Sequence, residues 1–374
     1  MTLFTASLFS LGAYICYSCY FLFGLLRLRN SRPTPSRLPT VSVVVAARNE
    51  SKNISKLIQC LNKQNYPKNK YEIIIINDRS TDTTKSILNT YSDKIKNFSF
   101  IDISNTPKEW SNKKWAIYKG IKKAKGDIII QTDADCYMSN KWISSMVNPF
   151  KNIEIGFVSS LTPLINSSSN LFKHIFLMDS IAQDIFSGYA ISKGLTISCS
   201  ARSIAYRRND FIKIKGYNDI YSIKSGDDDL ILHKIIHYIG CKAKFIINPN
   251  AIVFSETPQN VSEFIHQRLR YASKGLLYYQ KEFISKELRI LLPFLYILNF
   301  LSTILILKFC YTGYPIYFFA LLIKIIPEYF MIYPIYDILK IKWSWINFLI
   351  LSIIHPFYIV LFGFLGPIYT FKWK

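Results

Sequence analysis

The chain has 374 residues, is 50% hydrophobic and 16% aromatic, and carries a formal net charge of +22 at pH 7. Its seven cysteines are scattered and odd in number, which argues against a disulfide framework and favours reduced thiols in the cytosol. So much apolar sequence beside so many lysines is typical of a membrane protein with a large water-exposed part. The positive charge then faces anionic lipid, and no nucleic-acid partner is expected.

The first 27 residues predict a membrane helix. Thr2 to Leu26 contains no charged residue and is long enough to cross a bilayer. Four arginines follow this stretch, whereas a cleaved signal peptide carries its charge in front of the apolar run. We therefore predict an uncleaved anchor over 1–27, with cytosolic chain after it. Residues 28–39, rich in proline and arginine, predict an extended linker.

Residues 40–286 predict an α/β domain, because short β-branched runs alternate with helical patterns. The runs are TVSVVVAA (40–47), YEIIIIND (71–78) and GDIIIQTD (126–133). The helical patterns cover about 51–63, 81–91 and 113–125. Continuous apolar runs of this kind suit parallel strands covered on both faces. The alternation predicts a doubly wound sheet, whose ligand lies beyond the carboxyl ends of the strands.

Residues 287–374 are apolar again and predict about three further membrane helices. The apolar stretches are Ile290–Leu307, Tyr311–Tyr336 and Trp343–Phe371. The second contains Lys324 and Glu328, which are costly in lipid unless they face other helices or the interface. We expect a multi-pass protein of the plasma or inner membrane, with residues 40–286 in the cytosol.

Polar residues follow each predicted strand, at the edge where a ligand is expected. They are Arg48-Asn49-Glu50, Asn77-Asp78-Arg79 and Asp133-Ala134-Asp135. The D-x-D of Asp133 and Asp135 can chelate a hard divalent cation and leave positions for phosphate oxygens, although such pairs are also common in surface turns. Asp78 is placed to bond a ribose or base, while the residues after it also suit a helix N-cap.

Two charged stretches lie further along the chain. Lys113 begins a predicted helix, where a lysine meets a diphosphate or is simply solvated. The segment SGDDDLIL (225–232) holds three adjacent acids at the head of a helix that runs to about Gly240. Ser225 or Gly226 suits the cap, and acids favour the first turn. Three mutually repelling acids exceed what a cap needs, so one of them is a candidate general base.

The segment HQRLRYASKG (266–275) places Gln267, Arg270 and Tyr271 on one helical face by their spacing. This face suits ligand binding or an amphipathic helix lying on a membrane, and the two roles are compatible. With it, the order of signals resembles the membrane-bound, inverting family 2 glycosyltransferases with the GT-A fold. That family includes cellulose and hyaluronan synthases and enzymes of the ceramide glucosyltransferase type.

The resemblance covers about residues 40–280. It rests on a strand-end Asp, then D-x-D, then an acidic pair heading a helix, then Q-x-x-R-aromatic. The stretch CSARSIAYRRNDFIKIKGY (199–217) resembles the acceptor-side segment of the family. The chain departs from the family at four positions, where Gly, Gly, Asn and Trp are usual. These are Asn112, Ser200, Arg202 and Tyr271.

The resemblance implies transfer of a sugar, with inversion, from a nucleotide-sugar donor to a lipid or glycan acceptor at the bilayer. UDP is the expected nucleotide, and Mg²⁺ or Mn²⁺ the expected cofactor. Asp133 and Asp135 are expected to bind the metal, with Asp135 as the direct ligand. Substrate binding is expected at Glu50, Asp78, Lys113, Asp133, Gln267, Arg270 and Tyr271.

The general base is expected within the acidic triplet. One register with the family's acidic pair sets the base at Asp228, which we favour, and the other sets it at Asp227. Two alternatives to a glycosyltransferase remain at this point: a membrane nucleotidyl- or phosphotransferase, which needs no Q-x-x-R-aromatic helix, and an inactive basic membrane scaffold.

Overall fold

The structure, a computed structural model, describes residues 5, 10–16, 18, 19, 38–165 and 171–369. The predicted linker up to residue 37, parts of the predicted N-terminal helix and the terminal FKWK lie outside the described residues. Thr5, residues 10–16 and residues 18–19 are helical, as predicted for an N-terminal helix.

The described residues form two units by their contacts. The α/β unit comprises residues 38–165 and 196–256. The helical unit comprises the described residues up to 19, together with 171–195 and 257–369. Each unit has its own apolar core, so each is described by itself.

The α/β unit contains ten described strands. They are β1 Val41–Ala47, β2 Tyr71–Asp78, β3 Phe98–Ile103, β4 Ile128–Gln131, β5 Tyr137–Met138, β6 Ile155–Ser160, β7 Leu164–Ile165, β8 Ile204–Arg207, β9 Lys242–Ile246 and β10 Val253–Glu256. Seven form one sheet in the order β3-β2-β1-β4-β8-β6-β9. Neighbours in this sheet run parallel except β8, which is antiparallel to β4 and β6. Strands β5, β10 and β7 form a smaller sheet.

Helices cover the larger sheet, and those that follow its parallel strands β1, β2 and β3 begin at the carboxyl edge. In the α/β unit they are α1 Ile54–Asn62, α2 Thr84–Ser92, α3 Asn112–Lys123, α4 Trp142–Val147, α6 Arg208–Lys213 and α7 Asp229–Ile239. The predicted alternation of three strands and three helices is confirmed. Gly120 allows α3 to lie directly on the sheet, because a Cβ there would stand 2.5 Å from Ile76 Cδ1 and 2.6 Å from Val44 Cγ1.

The core of the α/β unit explains why these runs form strands. Central strand β1 is buried along nearly its whole length, and so is β2, which matches its register from Val41 opposite Tyr71 to Ala47 opposite Asn77. β-Branched side chains suit a pleated surface covered on both faces. Edge strand β3, which the sequence did not predict, is only partly buried and mixes polar with apolar residues.

The helical unit is built mainly from long helices. They are α5 Leu171–Ser192, α8 Val261–Ala272, α9 Leu277–Gln280, α10 Lys286–Thr312, α11 Pro315–Leu339 and α12 Trp345–Leu365. Helix α10 packs on α11 and α12, and α12 also packs on α5 and α8. Three helical segments among the described residues are long and apolar enough to cross a membrane. They are Lys286–Thr312, Pro315–Leu339 and Trp345–Ile368, which match the three predicted apolar stretches.

Candidate active site

The two acids of the D-x-D follow β4, at the carboxyl edge of the sheet. Ser255 Oγ donates a hydrogen bond to Asp135 Oδ2 at 2.8 Å and so fixes that carboxyl group. Burial raises the pKa of Asp135, and the negative charge of Asp133 raises it further. Two carboxylates that repel each other in this way favour a bound cation, because the cation stabilises both ionised forms.

The donor set at this edge fits a hard divalent cation such as Mg²⁺ or Mn²⁺, since it consists of carboxylate oxygens. The described residues contain no group of three or more His, Cys, Asp or Glu side chains that would hold a metal by themselves. Mg²⁺ is usually bound by one or two carboxylates, with waters and substrate phosphates completing its shell. Asp133 and Asp135 meet that requirement and leave coordination positions for a diphosphate.

Lys113 joins the D-x-D to the acidic triplet. Its ammonium group lies 2.9 Å from Asp133 Oδ1 and 2.9 Å from Asp227 Oδ2. Burial disfavours the charged lysine, but the carboxylates of Asp133 and Asp227 outweigh it and raise the pKa of Lys113. The alternative of a solvated lysine is therefore wrong. One cation instead brings together two sequence motifs that lie far apart in the chain.

The three acids of the triplet have three different environments. Asp227 is buried, and although burial alone would raise its pKa, the charges of Lys113 and Lys114 hold that pKa below its ordinary value. Asp229 is buried in the first turn of α7, where its Oδ1 accepts from Leu230 N at 2.9 Å. Asp228 is only partly buried, and two backbone N–H groups orient its carboxylate.

These two hydrogen bonds come from two different segments of the chain. Asp229 N donates to its Oδ1 at 2.8 Å, and Ala201 N donates to its Oδ2 at 2.9 Å. Ala201 lies in the stretch 199–217, which resembles the acceptor-side segment. The middle carboxylate is therefore held between the head of α7 and that segment.

The N-cap of α7 corrects one prediction. Neither Ser225 nor Gly226 caps the helix; the cap is Asp228, which precedes the first helical residue, Asp229. The reason is a turn at Gly226, whose φ of +79° keeps it and Ser225 outside the helix. A Cβ at Gly226 would also stand 2.7 Å from Leu230 Cδ1, so this turn requires glycine.

A second buried lysine, next to Lys113 in the sequence, holds the segment in front of the triplet. Lys114 is fully buried, and its ammonium group donates to three backbone carbonyls. They belong to Ile220 at 2.8 Å, Ile223 at 2.7 Å and Ser225 at 2.8 Å. Because an ammonium group has three donors, this arrangement fixes the irregular chain that leads into the acids.

The other strand-end residues lie beside this group at the edge of the sheet. Asp78 ends β2, is buried, and its Oδ1 accepts from Arg79 Nε at 2.8 Å. Glu50 follows β1, where its Oε2 accepts from Asn53 Nδ2 at 3.0 Å. Because β1 lies between β2 and β4, the sheet brings these ends near the D-x-D.

The predicted Q-x-x-R-aromatic motif lies on α8 of the helical unit. Gln267 and Arg270 are partly buried and Tyr271 is exposed. The guanidinium of Arg270 lies 5.2 Å from the centre of the Tyr271 ring. Buried Arg268 between them, which the sequence analysis did not single out, forms an ion pair with Asp179 on α5.

Comparison with known proteins agrees with the family resemblance seen in the sequence. Residues 42–215 match the model of Glycosyl transferase family 2. A Bacillus subtilis protein named "Probable glycosyltransferase YdaM" is 26% identical over 295 residues, which are 76% of this chain and 68% of the relative.

A second relative comes from Methanococcus voltae and is 28% identical over 299 residues, which are 76% of this chain and 85% of the relative. It is named dolichyl N-acetyl-alpha-D-glucosaminyl phosphate 3-beta-D-2,3-diacetamido-2,3-dideoxy-beta-D-glucuronosyltransferase. Among solved structures, the mannosyltransferase PcManGT from Pyrobaculum calidifontis, in complex with GDP-Man and Mn²⁺, superposes with a TM-score of 0.62. It is 17% identical, and the match covers 94% of this chain and 98% of that one.

The chain carries a glycosyl transferase family 2 domain. The fold of its α/β unit is GT-A, and the enzyme class is that of a glycosyltransferase. The alternatives of a nucleotidyl- or phosphotransferase and of an inactive scaffold are therefore set aside.

Arg202, which departs from the family at a position where Asn is usual, lies near the D-x-D. Its Nε donates to Ser200 Oγ at 3.0 Å, and its positive charge acts on Asp135 by lowering the pKa of that carboxyl group. No periodicity signals such a residue, because its effect depends on the fold that brings 199–203 to the D-x-D.

We expect Lys114→Met to lower both stability and sugar transfer. Three carbonyls would lose a charged donor, which costs about 3 kcal/mol in free energy of unfolding. The acids would also lose their fixed position. Thermal melting of the purified full chain and initial transfer rate measure the two effects. Lys123→Met, at an exposed position of the same helix, is the matched control, and equal effects of both variants would contradict the role of Lys114.

Proposed function

We propose that this protein transfers a sugar from a nucleotide-diphosphate donor, with UDP as the expected nucleotide, to a lipid or glycan acceptor, with inversion and with Asp228 as general base. The observation that carries the proposal is the ionic group Asp133–Lys113–Asp227, which joins the D-x-D to the head of α7. It supports a site with a diphosphate-binding side and an acceptor side held at a fixed distance.

Asp228 suits the base better than Asp227. Asp227 is already paired with Lys113, and its lowered pKa makes it a weak proton acceptor. Asp228 is partly exposed, and its two backbone donors orient the carboxylate toward a hydroxyl proton. The acceptor hydroxyl loses its proton to Asp228 as its oxygen attacks the anomeric carbon.

The departing diphosphate is the second requirement. Asp133 and Asp135 would hold Mg²⁺ or Mn²⁺, which when bound supplies stabilisation of the negative charge on the leaving group. Lys113 and Arg202 add positive charge on the same side of the site. A water-poor site strengthens these interactions because screening is weak.

The remaining residues of the predicted site are proposed to bind the sugar donor and the acceptor. Asp78 and Glu50, which end β2 and follow β1, are assigned to the nucleoside, and their position at the carboxyl edge of the sheet supports this. Gln267, Arg270 and Tyr271 on α8 are assigned to the leaving group and the acceptor path, an assignment that follows from the family pattern.

We further propose a membrane setting. The three apolar helices of the helical unit would cross the bilayer together with the predicted N-terminal helix over 1–27. The catalytic domain, 40–286, would follow the linker 28–39 on the cytosolic side, and 287–374 would form the membrane region. A lipid-linked acceptor fits this setting, and the dolichyl phosphate compound in the name of the Methanococcus relative belongs to that class.

The test is to incubate the purified full chain, in lipid nanodiscs, with a panel of radiolabelled nucleotide sugars and Mn²⁺. Label should move from one donor into a lipid or glycan fraction. We expect Asp228→Asn to slow this transfer about 10²- to 10⁴-fold, because the variant keeps the shape but loses the base.

A substitution at Asp227 separates base catalysis from charge. Asp227→Asn should weaken donor binding through Lys113, and therefore raise KM more than it lowers kcat. Exposed Asp93, at the end of α2, provides the control Asp93→Asn. Absence of transfer from every donor would contradict the proposed activity. A larger loss of kcat in Asp227→Asn than in Asp228→Asn would contradict Asp228 as the base.

Removal of the metal should stop transfer. We expect chelation with EDTA to abolish activity and added Mn²⁺ or Mg²⁺ to restore it. Asp135→Asn should raise the Mn²⁺ concentration needed for half-maximal rate at least about tenfold, because a ligand is lost. Titration of the rate with Mn²⁺ measures this value, with Asp93→Asn as control. Full activity in EDTA would show that the carboxylates serve another purpose.

A further inference from the structure

The helical unit contains a cavity of about 640 Å³. Sites for small molecules and cofactors are typically about 300–1,000 Å³. Most of the lining is aliphatic or aromatic and comes from five helices: α5, α8, α10, α11 and α12. Ile185, Leu298, Phe348 and Leu351 are examples, and each is buried. Walls of this kind suit a hydrocarbon chain and offer few hydrogen-bond partners to the hydroxyls of a sugar polymer.

Charged residues in the lining are arranged in two pairs. Arg268 pairs with Asp179, which also accepts from the Tyr358 hydroxyl. Lys324 pairs with Glu328 one turn further along α11. These are the two ionisable residues that interrupt the second apolar stretch of the sequence. Two cations and two anions cancel, so the cavity offers no net positive charge to a phosphate group.

Three further polar atoms in the lining have no hydrogen-bond partner within the described parts of the chain. They are Asn299 Oδ1, Arg268 Nε and His355 Nδ1. Asn299 and Arg268 are each only 5% exposed, so water does not freely satisfy them. Buried polar atoms are nearly always hydrogen-bonded in native proteins, which indicates that a group with both donor and acceptor capacity belongs here. A hydroxyl group has that capacity.

We propose that this cavity binds a lipid with an uncharged, hydroxyl-bearing head group, of the diacylglycerol class. Its hydrocarbon chain lies along the aliphatic and aromatic walls. Its hydroxyl would donate to Asn299 Oδ1, and an oxygen of the head group would accept from Arg268 Nε. That this lipid is also the sugar acceptor rests on the proposed function, whereas the binding itself does not.

The probe is a radiolabelled diacylglycerol with a diazirine in one acyl chain, added to the full chain in nanodiscs without any nucleotide sugar. After irradiation, labelled peptides should come from α5, α10 or α12. Unlabelled diacylglycerol should reduce the labelling, and phosphatidic acid with the same acyl chains should reduce it at least about tenfold less well at equal concentration. Stronger competition by phosphatidic acid, or by a soluble oligosaccharide, would overturn the proposal.

Two variants locate the site. Leu351→Trp fills the cavity, whereas Leu349→Trp, two residues away on the same helix at a 47% exposed position outside the lining, leaves it open. Labelling should fall at least tenfold in the first variant only. Asn299→Leu, which keeps the size of the side chain, should weaken competition by diacylglycerol while melting temperature stays within the range of Leu349→Trp.

The outcomes separate this inference from the proposed function. Equal labelling of Leu351→Trp and Leu349→Trp, in protein of normal melting temperature, would show that the probe binds elsewhere and would reject the cavity. Saturable labelling that Leu351→Trp removes would support the cavity even if no donor sugar is ever transferred.

Discussion

A single ammonium group, that of Lys113, holds the candidate site together. It contacts Asp133 after β4 and Asp227 before α7. Because Lys113 and Asp227 are largely shielded from water, removal of the lysine would leave Asp227 as a buried, uncompensated charge, which costs about 3–5 kcal/mol. The carboxylates of Asp133, Asp135 and Asp227 outnumber the two cations, Lys113 and Arg202, so the group keeps a net negative charge. The site is therefore electrostatically suited to a divalent cation and, through that cation, to a diphosphate.

Two buried lysines likewise fix backbone segments that have no regular secondary structure. Lys114 binds three carbonyls between Ile220 and Ser225, and Lys234 on α7 binds the carbonyls of Gly216 at 2.9 Å and Asn218 at 2.7 Å. Irregular backbone carries polar groups that must be satisfied when they are buried. Here ammonium groups satisfy them and at the same time fix where the acidic triplet stands. A flexible loop could not hold a catalytic carboxylate with comparable accuracy.

Local patterns in the sequence were sufficient to predict the framework. The strands β1, β2 and β4, the helices after them and the three apolar helices follow from burial periodicity and length, which are properties of neighbouring residues. The D-x-D and the acidic triplet were also visible, because their residue types are rare in so basic a chain. Edge strand β3 was missed, since half-burial weakens its pattern.

Long-range contacts account for the rest. Whether Lys114 is solvated or buried depends on chain more than a hundred residues away, and no local pattern reports it. The same holds for Asp179, Arg268 and Tyr358, which meet only when α5, α8 and α12 pack. The cap of α7 was misassigned for a different reason: the positive φ of Gly226 moves the start of the helix to Asp229.

A carboxylate base opposite a departing diphosphate requires a single displacement, so the anomeric configuration of the sugar must invert. The most direct measurement is the proton NMR spectrum of the purified product, in which the coupling at the anomeric position reports the configuration. An α-linked nucleotide sugar should give a β-linked product. Retention of the α configuration would contradict Asp228 as the base of a direct displacement.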